Sequence, residues 1–179
     1  MPLLTVGHGA LDRAHLRALL TGADLQAVVD VRRFPGSRRN PDVARDALAS
    51  WLPGAGIDYR WEERLGGRRH LRKDDDARSP DQWWQVEAFR AYASHTRSTD
   101  FIEALARVTE QAQADRVAVM CSETVWWRCH RRIIADVVAL TTKVPVAHLM
   151  HDGKVREHRV ADGARITDDG VVWDGDDGA

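Results

Sequence analysis

The sequence predicts an α/β fold in three layers, a mainly parallel sheet with helices on both faces and a small C-terminal hairpin. Three observations predict it. Short apolar runs rich in Val and Leu at 3–6, 25–31 and 116–120 have the length and composition of buried parallel strands. Segments with apolar residues at helical spacing separate them, long enough for crossovers rather than hairpin turns. Finally, 179 residues, of which 44% are hydrophobic and 30% charged, suit one core and exclude wholesale disorder.

The first run, 3–6, stops at Gly7-His8-Gly9, and Leu11, Leu16, Leu19 and Leu20 follow at helical spacing. The second, 25–31, ends in Asp30 and an Arg-Pro-Gly-Ser loop. A helix then starts near Asp42, with Ala44, Ala47, Leu48 and Trp51 on one face, and Pro53-Gly54 stops it. A short strand is expected at 57–61 and a long exposed loop at 62–80, where Gly66-Gly67 and three consecutive aspartates lie.

Helices are expected at 82–95 and 101–114, the latter capped by Thr99 or Asp100. The strand at 116–120 runs straight into Cys121-Ser122-Glu123, and a helix at 129–140 follows. Pro145, which lacks an N–H, puts the strand at 144–150 at a sheet edge or marks its beginning. Asp152-Gly153 and Asp162-Gly163 are turn signals, so residues 151–179 read as a hairpin and an acidic tail belonging to the same domain as 1–150.

No stretch reaches the roughly 18 apolar residues of a membrane span, and the start lacks the basic and apolar regions of a signal peptide. The expectation is a cytoplasmic protein with reduced thiols, since two cysteines cannot form a disulfide framework. Net charge is only −1, yet half of the 26 Lys and Arg residues fall in the segments 32–39, 60–73 and 128–132. Such runs are either solvated faces or a site for an anionic ligand.

In parallel α/β sheets, ligands bind outside the carboxyl ends of the strands. His8, Asp30 and Cys121 all fall there, which makes that edge the expected working surface. The combination of Thr5-Val6-Gly7-His8, Val29-Asp30-Val31-Arg32 with Pro35, Ser37, Arg38 and Pro41, Leu65-Gly66-Gly67, and Met120-Cys121-x-Glu123 with Trp127-x-Cys129-His130-Arg131 resembles the bacterial family known as domain of unknown function 488, DUF488. The resemblance spans residues 3–150 and implies an α/β fold, with no reaction attached. One departure is Trp126, where the family often has proline.

Taken singly, Cys121 is either a nucleophile, its thiolate favoured by backbone N–H groups and nearby arginines, or a buried small hydrophobe. The outline is similar to the anion-cradling loops of rhodaneses and cysteine phosphatases. However, seven steps separate Cys121 from Arg128, and the intervening loop has no glycine but does hold Val125, Trp126 and Trp127. His8 is a candidate general base or anion ligand, and Glu123 an acid, a base or an arginine partner. Asp30 is placed to orient Arg32 or His8. Arg32, Arg38, Arg131 and Arg132 are expected to converge on a phosphate, with Ser37, Gly66, Gly67 and Arg68 adding contacts and Trp84, Trp126 and Trp127 stacking bases.

Cys129 and His130 complete the candidate substrate site. With His8 and Cys121 they also make four potential zinc ligands, although adjacent residues at a helix start are expected to point apart. These residues support an enzyme on a phosphate-bearing substrate, a nucleotide or nucleic acid, using Cys121, His8 or Glu123. The alternatives are a noncatalytic nucleic-acid or nucleotide module and, behind it, a zinc-binding domain. No motif names a cofactor or an oligomeric state.

Overall fold

The computed structural model describes residues 1–175. Its main sheet holds β1 (Leu3–Gly7), β2 (Ala27–Asp30), β3 (Asp58–Trp61), β4 (Val117–Cys121), β5 (Val146–Leu149) and β6 (Val155–Glu157) in the order β3-β2-β4-β1-β5-β6. The first five strands run parallel; β6 returns antiparallel along β5 through the Asp152-Gly153 turn. Pro145 lies just before β5, where its carbonyl accepts from Leu3 N at 2.8 Å and its missing N–H costs the ladder nothing. β5 is an interior strand, so the proline marks a strand start rather than an edge.

Alternation along each strand divides the core in two. Leu4, Val6, Val28, Ala118 and Met120 meet α1 (Arg13–Gly22) and α2 (Arg45–Trp51) through Leu16, Leu20, Leu48 and Trp51. Leu3, Val29, Val117 and Val119 face the other way, onto Tyr92 of α4 (Glu87–His95), Phe101 and Val108 of α5 (Thr99–Ala114) and Ile134 of α6 (Arg131–Thr141). Helices thus cover both faces.

Local chemistry sets the helix starts. Asp12 caps α1 by accepting from His15 N at 2.9 Å. Ser98 caps α5 by accepting from Phe101 N at 3.3 Å, one residue before the caps the sequence offered at Thr99 and Asp100. Residues 82–86 are not helical: Trp84 turns inward there, and its backbone N–H closes a turn onto Asp81 O. The expected loop at 62–80 is more ordered than its polarity suggests: it carries a 3₁₀ turn, Glu63–Leu65, and the short α3 (Lys73–Ala77), and buries Leu65, Gly66 and Gly67.

The C-terminal hairpin, β7 (Ala164–Thr167) and β8 (Gly170–Trp173), forms a second small sheet. It is anchored, not loose. Trp173 is fully buried, and its Nε1–H donates to Asp136 Oδ2 at 2.8 Å. Asp136 also accepts from Ala161 N and from His158 Nε2, so His158 Nδ1 is left as an acceptor for His148 Nε2–H at 3.0 Å. His148 Nδ1 in turn accepts from Thr5 Oγ1 at 2.7 Å, and this buried chain ties the hairpin to β1 and β5. Asp176 and Asp177 of the acidic tail lie outside the described residues. Among the described residues, no helix is long and apolar enough to cross a membrane.

Candidate active site

Because β4 lies between β2 and β1, the sheet has a switch point at its centre. The chain leaves β1 and β2 over the α1–α2 face and leaves β4 over the α6 face, so the carboxyl ends part around a crevice. A cavity of about 320 Å³ occupies it, in the range of small-molecule sites. Its lining includes His8 after β1, Arg32, Arg33, Phe34 and Ser37 after β2, Gly67 and Arg68, and the segment from Cys121 to Glu123 with Arg128, Cys129 and His130.

Two thiols and an imidazole make the floor. The sulfurs of Cys121 and Cys129 and one ring nitrogen of His130 all lie within 4.8 Å of one another, and the cysteines are 7% and 4% exposed. The adjacent residues Cys129 and His130 do not point apart. Cys129 is extended (φ −124°, ψ 149°) while His130 is already helical (φ −57°, ψ −16°), and this break brings both side chains to one point. His130 Nε2 lies 2.9 Å from the Val31 carbonyl, which can only accept, so Nε2 carries the proton and Nδ1 presents a lone pair 3.6 Å from Cys129 Sγ. Gly67 makes room for the ring: a Cβ there would sit 2.8 Å from His130 Nδ1.

Cys129, rather than the Cys121 that the sequence singles out, is the thiol with an arginine against it. Burial opposes a charge at Cys129, but the Cys121 thiol and Arg131, whose Nε–H lies 3.3 Å from the sulfur, outweigh it and bring the pKa down to about 6. Cys121, next to that negative sulfur and buried, is pushed up to about 12.

The four arginines expected to converge do not form an anion clamp. Arg32 is spent on Asp30: Nε and Nη2 bond the two carboxylate oxygens at 2.8 and 2.6 Å, Nη2 also reaches Val43 O, and Nη1 meets His8 Nε2 at 3.2 Å. Tyr59 completes Asp30 with a 2.7 Å hydrogen bond. Arg131 is buried between Cys129 Sγ and the Glu123 carbonyl. Arg132 lies over the rings of Trp83 and Trp84 at 5.6 and 5.0 Å. Arg38 is exposed and does not line the cavity.

Other arginines of the basic runs are also engaged: Arg60 and Arg64 with Glu62, and Arg69 with the carbonyls of Glu63, Arg64 and Gly66. Arg33, Arg68 and Arg128 remain on the cavity wall, and among the described residues no carboxylate pairs with them. Their basic residue type was visible in the sequence; their freedom was not, since it depends on where each carboxylate ends up.

His8 is not an available base. Its Nδ1–H donates to Gly9 O at 2.9 Å, its Nε2 is covered by Arg32, and burial, helped by the Arg32 charge, lowers its pKa to about 4. It is a neutral wall residue. Glu123 serves Arg131 through its carbonyl, and its exposed side chain borders the cavity. Ser37 lines the cavity and caps Asn40 N at 3.1 Å. Gly66 packs on the Arg33 backbone outside the lining.

The tryptophans read as base stackers lie elsewhere. Trp84 is buried in the core, Trp126 stacks on His148 at 3.9 Å, and Trp127 is exposed beyond the cavity lining. The aromatic at the mouth is Phe34, 65% exposed, with Arg68 at 6.0 Å from its ring centre.

The family described as Domain of unknown function DUF488 matches residues 12–138, most of the chain and all of the site except His8. The chain belongs to the DUF488 family. Neither curated proteins nor solved structures yield a match. Within this DUF488 chain, the Cys121–Cys129–His130 floor is equipped for thiolate attack, for dithiol chemistry or for holding a soft cation.

Proposed function

We propose that this DUF488 protein is an enzyme acting on a phosphate-bearing substrate of nucleotide size. The phosphate lies against Arg33, Arg68 and Arg128, and the chemistry takes place at the Cys121–Cys129–His130 floor. The carrying observation is that one cavity at the sheet's switch point brings together ionisable sulfur, an imidazole lone pair and cations that have no carboxylate partner among the described residues. Guanidinium groups suit phosphate because their donors form a planar fork. Phe34 at the mouth offers a face for a base.

A noncatalytic nucleic-acid module is the weaker reading. It calls for a broad open basic face, whereas Arg33, Arg68 and Arg128 line a concavity of small-molecule size, and Arg32, Arg60 and Arg64 are tied into ion pairs. The buried free thiols fit the reducing cytoplasm.

Calorimetric titration with a nucleoside monophosphate and with a single-stranded oligonucleotide, followed by turnover assays on phosphate esters, separates the readings. Nucleotide binding with turnover that is lost in Cys129→Ser supports the enzyme. Oligonucleotide binding unaffected by Cys129→Ser and without turnover supports the module.

A further inference from the structure

We propose that Cys121 Sγ, Cys129 Sγ and His130 Nδ1 form a three-ligand site for a soft divalent cation of the zinc class, with its fourth position open to the cavity. This rests on the enzymatic reading for its purpose, but its geometry stands alone.

The three donors lie within 4.8 Å of one another. A tetrahedral zinc with Zn–S of about 2.3 Å and Zn–N of about 2.0–2.1 Å separates an S and an N ligand by about 3.6 Å and two sulfurs by about 3.8 Å. The observed His130 Nδ1 to Cys129 Sγ distance is 3.6 Å. The Cys121 sulfur lies within 4.8 Å of both, so closing the set on the ion takes up to about 1 Å of movement.

A second observation points the same way. Metal-bound histidines donate their other ring N–H to a carbonyl or carboxylate, which fixes the tautomer and aims the lone pair. His130 does this through Nε2–H to Val31 O at 2.9 Å. Arg131 Nε supplies the corresponding N–H to the Cys129 sulfur at 3.3 Å. Two thiolates and an imidazole select zinc-class ions over magnesium or calcium, which require oxygen donors.

The number of ligands decides the kind of site. Structural zinc is closed by four protein groups, whereas catalytic zinc keeps three and an open position. His8, the fourth ligand suggested by the sequence, has its Nε2 against Arg32 and is not part of the cluster. All three donors line the cavity, so a water or a substrate atom is the fourth ligand.

The test is titration of the full-length, reduced, chelator-treated protein with Co²⁺ alone. The expected result is a thiolate-to-cobalt charge-transfer band with the intense visible bands of a tetrahedral ion, saturating at one equivalent and abolished by Zn²⁺. Cys121→Ser, Cys129→Ser and His130→Ala should each weaken binding at least about tenfold. His8→Ala should leave the spectrum in place. Zn²⁺ should also protect both thiols of the wild-type protein from iodoacetamide until chelator is added, a readout that does not depend on any variant folding.

Labelling of both thiols in excess Zn²⁺, or a cobalt spectrum without the charge-transfer band, overturns the site. The substrate reading fails separately: with Arg68 and Arg128 both changed to Ala, the cobalt spectrum should persist while binding of inorganic phosphate is lost. Cobalt binding in a wild-type protein that binds no phosphate upholds the metal site and overturns the phosphate reading alone.

Discussion

The His130 imidazole hydrogen-bonds the Val31 carbonyl at 2.9 Å, joining the start of α6 to the residue that follows β2. That one bond sets which ring nitrogen faces the thiols, and the buried glycine at 67 lets the ring lie where the bond can form. The imidazole is thus positioned by the backbone of two other loops, while the thiols come from the end of β4 and the residues before α6.

Gly67→Ala should therefore disturb the site before it disturbs the fold. The added Cβ falls 2.8 Å from His130 Nδ1, so the ring must move and the Val31 bond must lengthen. Overpacking of this kind costs about 1–3 kcal/mol. Urea unfolding measures the loss, and the imidazole NMR signals of His130 should shift; an unchanged ring in a fully stable variant would show that the close approach is unimportant.

Much of this was legible in the sequence. The apolar runs gave the strands, and their polar endings put His8, Asp30 and Cys121 at one edge of the sheet. What the sequence could not reveal was how contacts between distant segments divide the chemistry. Asp30 is placed to orient Arg32, but that the bidentate pair and Tyr59 take this arginine out of the anion site depends on contacts between distant segments; Trp84 reads as a stacking ring until it is seen packed beneath Arg132, and Arg131 lies beside Cys129 rather than Cys121. Cys129 and His130 looked divergent because a backbone break from extended to helical cannot be read from adjacency alone.

The Asp30–Arg32 pair should matter for stability more than for ligand affinity. Both groups are buried, and removing one leaves the other charged and unpaired, at a cost of about 3–5 kcal/mol. Asp30→Ala should therefore lower the urea midpoint more than Tyr59→Phe, which removes one hydrogen bond to the carboxylate and costs about 1.5–3 kcal/mol. The reverse order would mean that Tyr59, not the ion pair, holds the loop.

Phosphate affinity should follow the cavity wall rather than the density of arginine in the sequence. Arg68→Ala and Arg128→Ala should each weaken inorganic phosphate binding about tenfold, the scale of a charge-assisted hydrogen bond. Arg38→Ala, an exposed change away from the cavity, should alter stability by no more than about 0.5 kcal/mol and leave binding intact. Calorimetry at low salt decides it, and an Arg38 effect equal to that of Arg128 would relocate the anion site.

Trp173 and Trp127 give a matched pair for the C-terminal hairpin. Trp173 is fully buried and bonded to Asp136, so Trp173→Ala should cost about 3–5 kcal/mol. Trp127 is 46% exposed, and its replacement by Ala should stay within about 1 kcal/mol. Equal midpoints in urea would mean that β7 and β8 contribute nothing to the core.

Acid should destabilise the fold through two histidines held neutral. Burial, then the Arg32 charge, lowers His8 to about 4; burial, then His158, lowers His148 to about 3. Both values lie below the ordinary 6.5, so the unfolded chain takes up protons that the folded chain refuses, and stability falls as pH drops. The contribution is complete above pH 6.5. It declines from there to about pH 4 for His8 and to about pH 3 for His148, at up to roughly 1.4 kcal/mol per pH unit for each group. The loss at His148 has a structural counterpart: its Nδ1 accepts from Thr5, and a proton there removes the acceptor at one end of the chain leading to Asp136. Urea midpoints measured from pH 7.5 to 4.5 should fall less steeply in His8→Gln and in His148→Gln than in the wild type. Parallel curves for all three proteins would assign the acid sensitivity to the carboxylates instead.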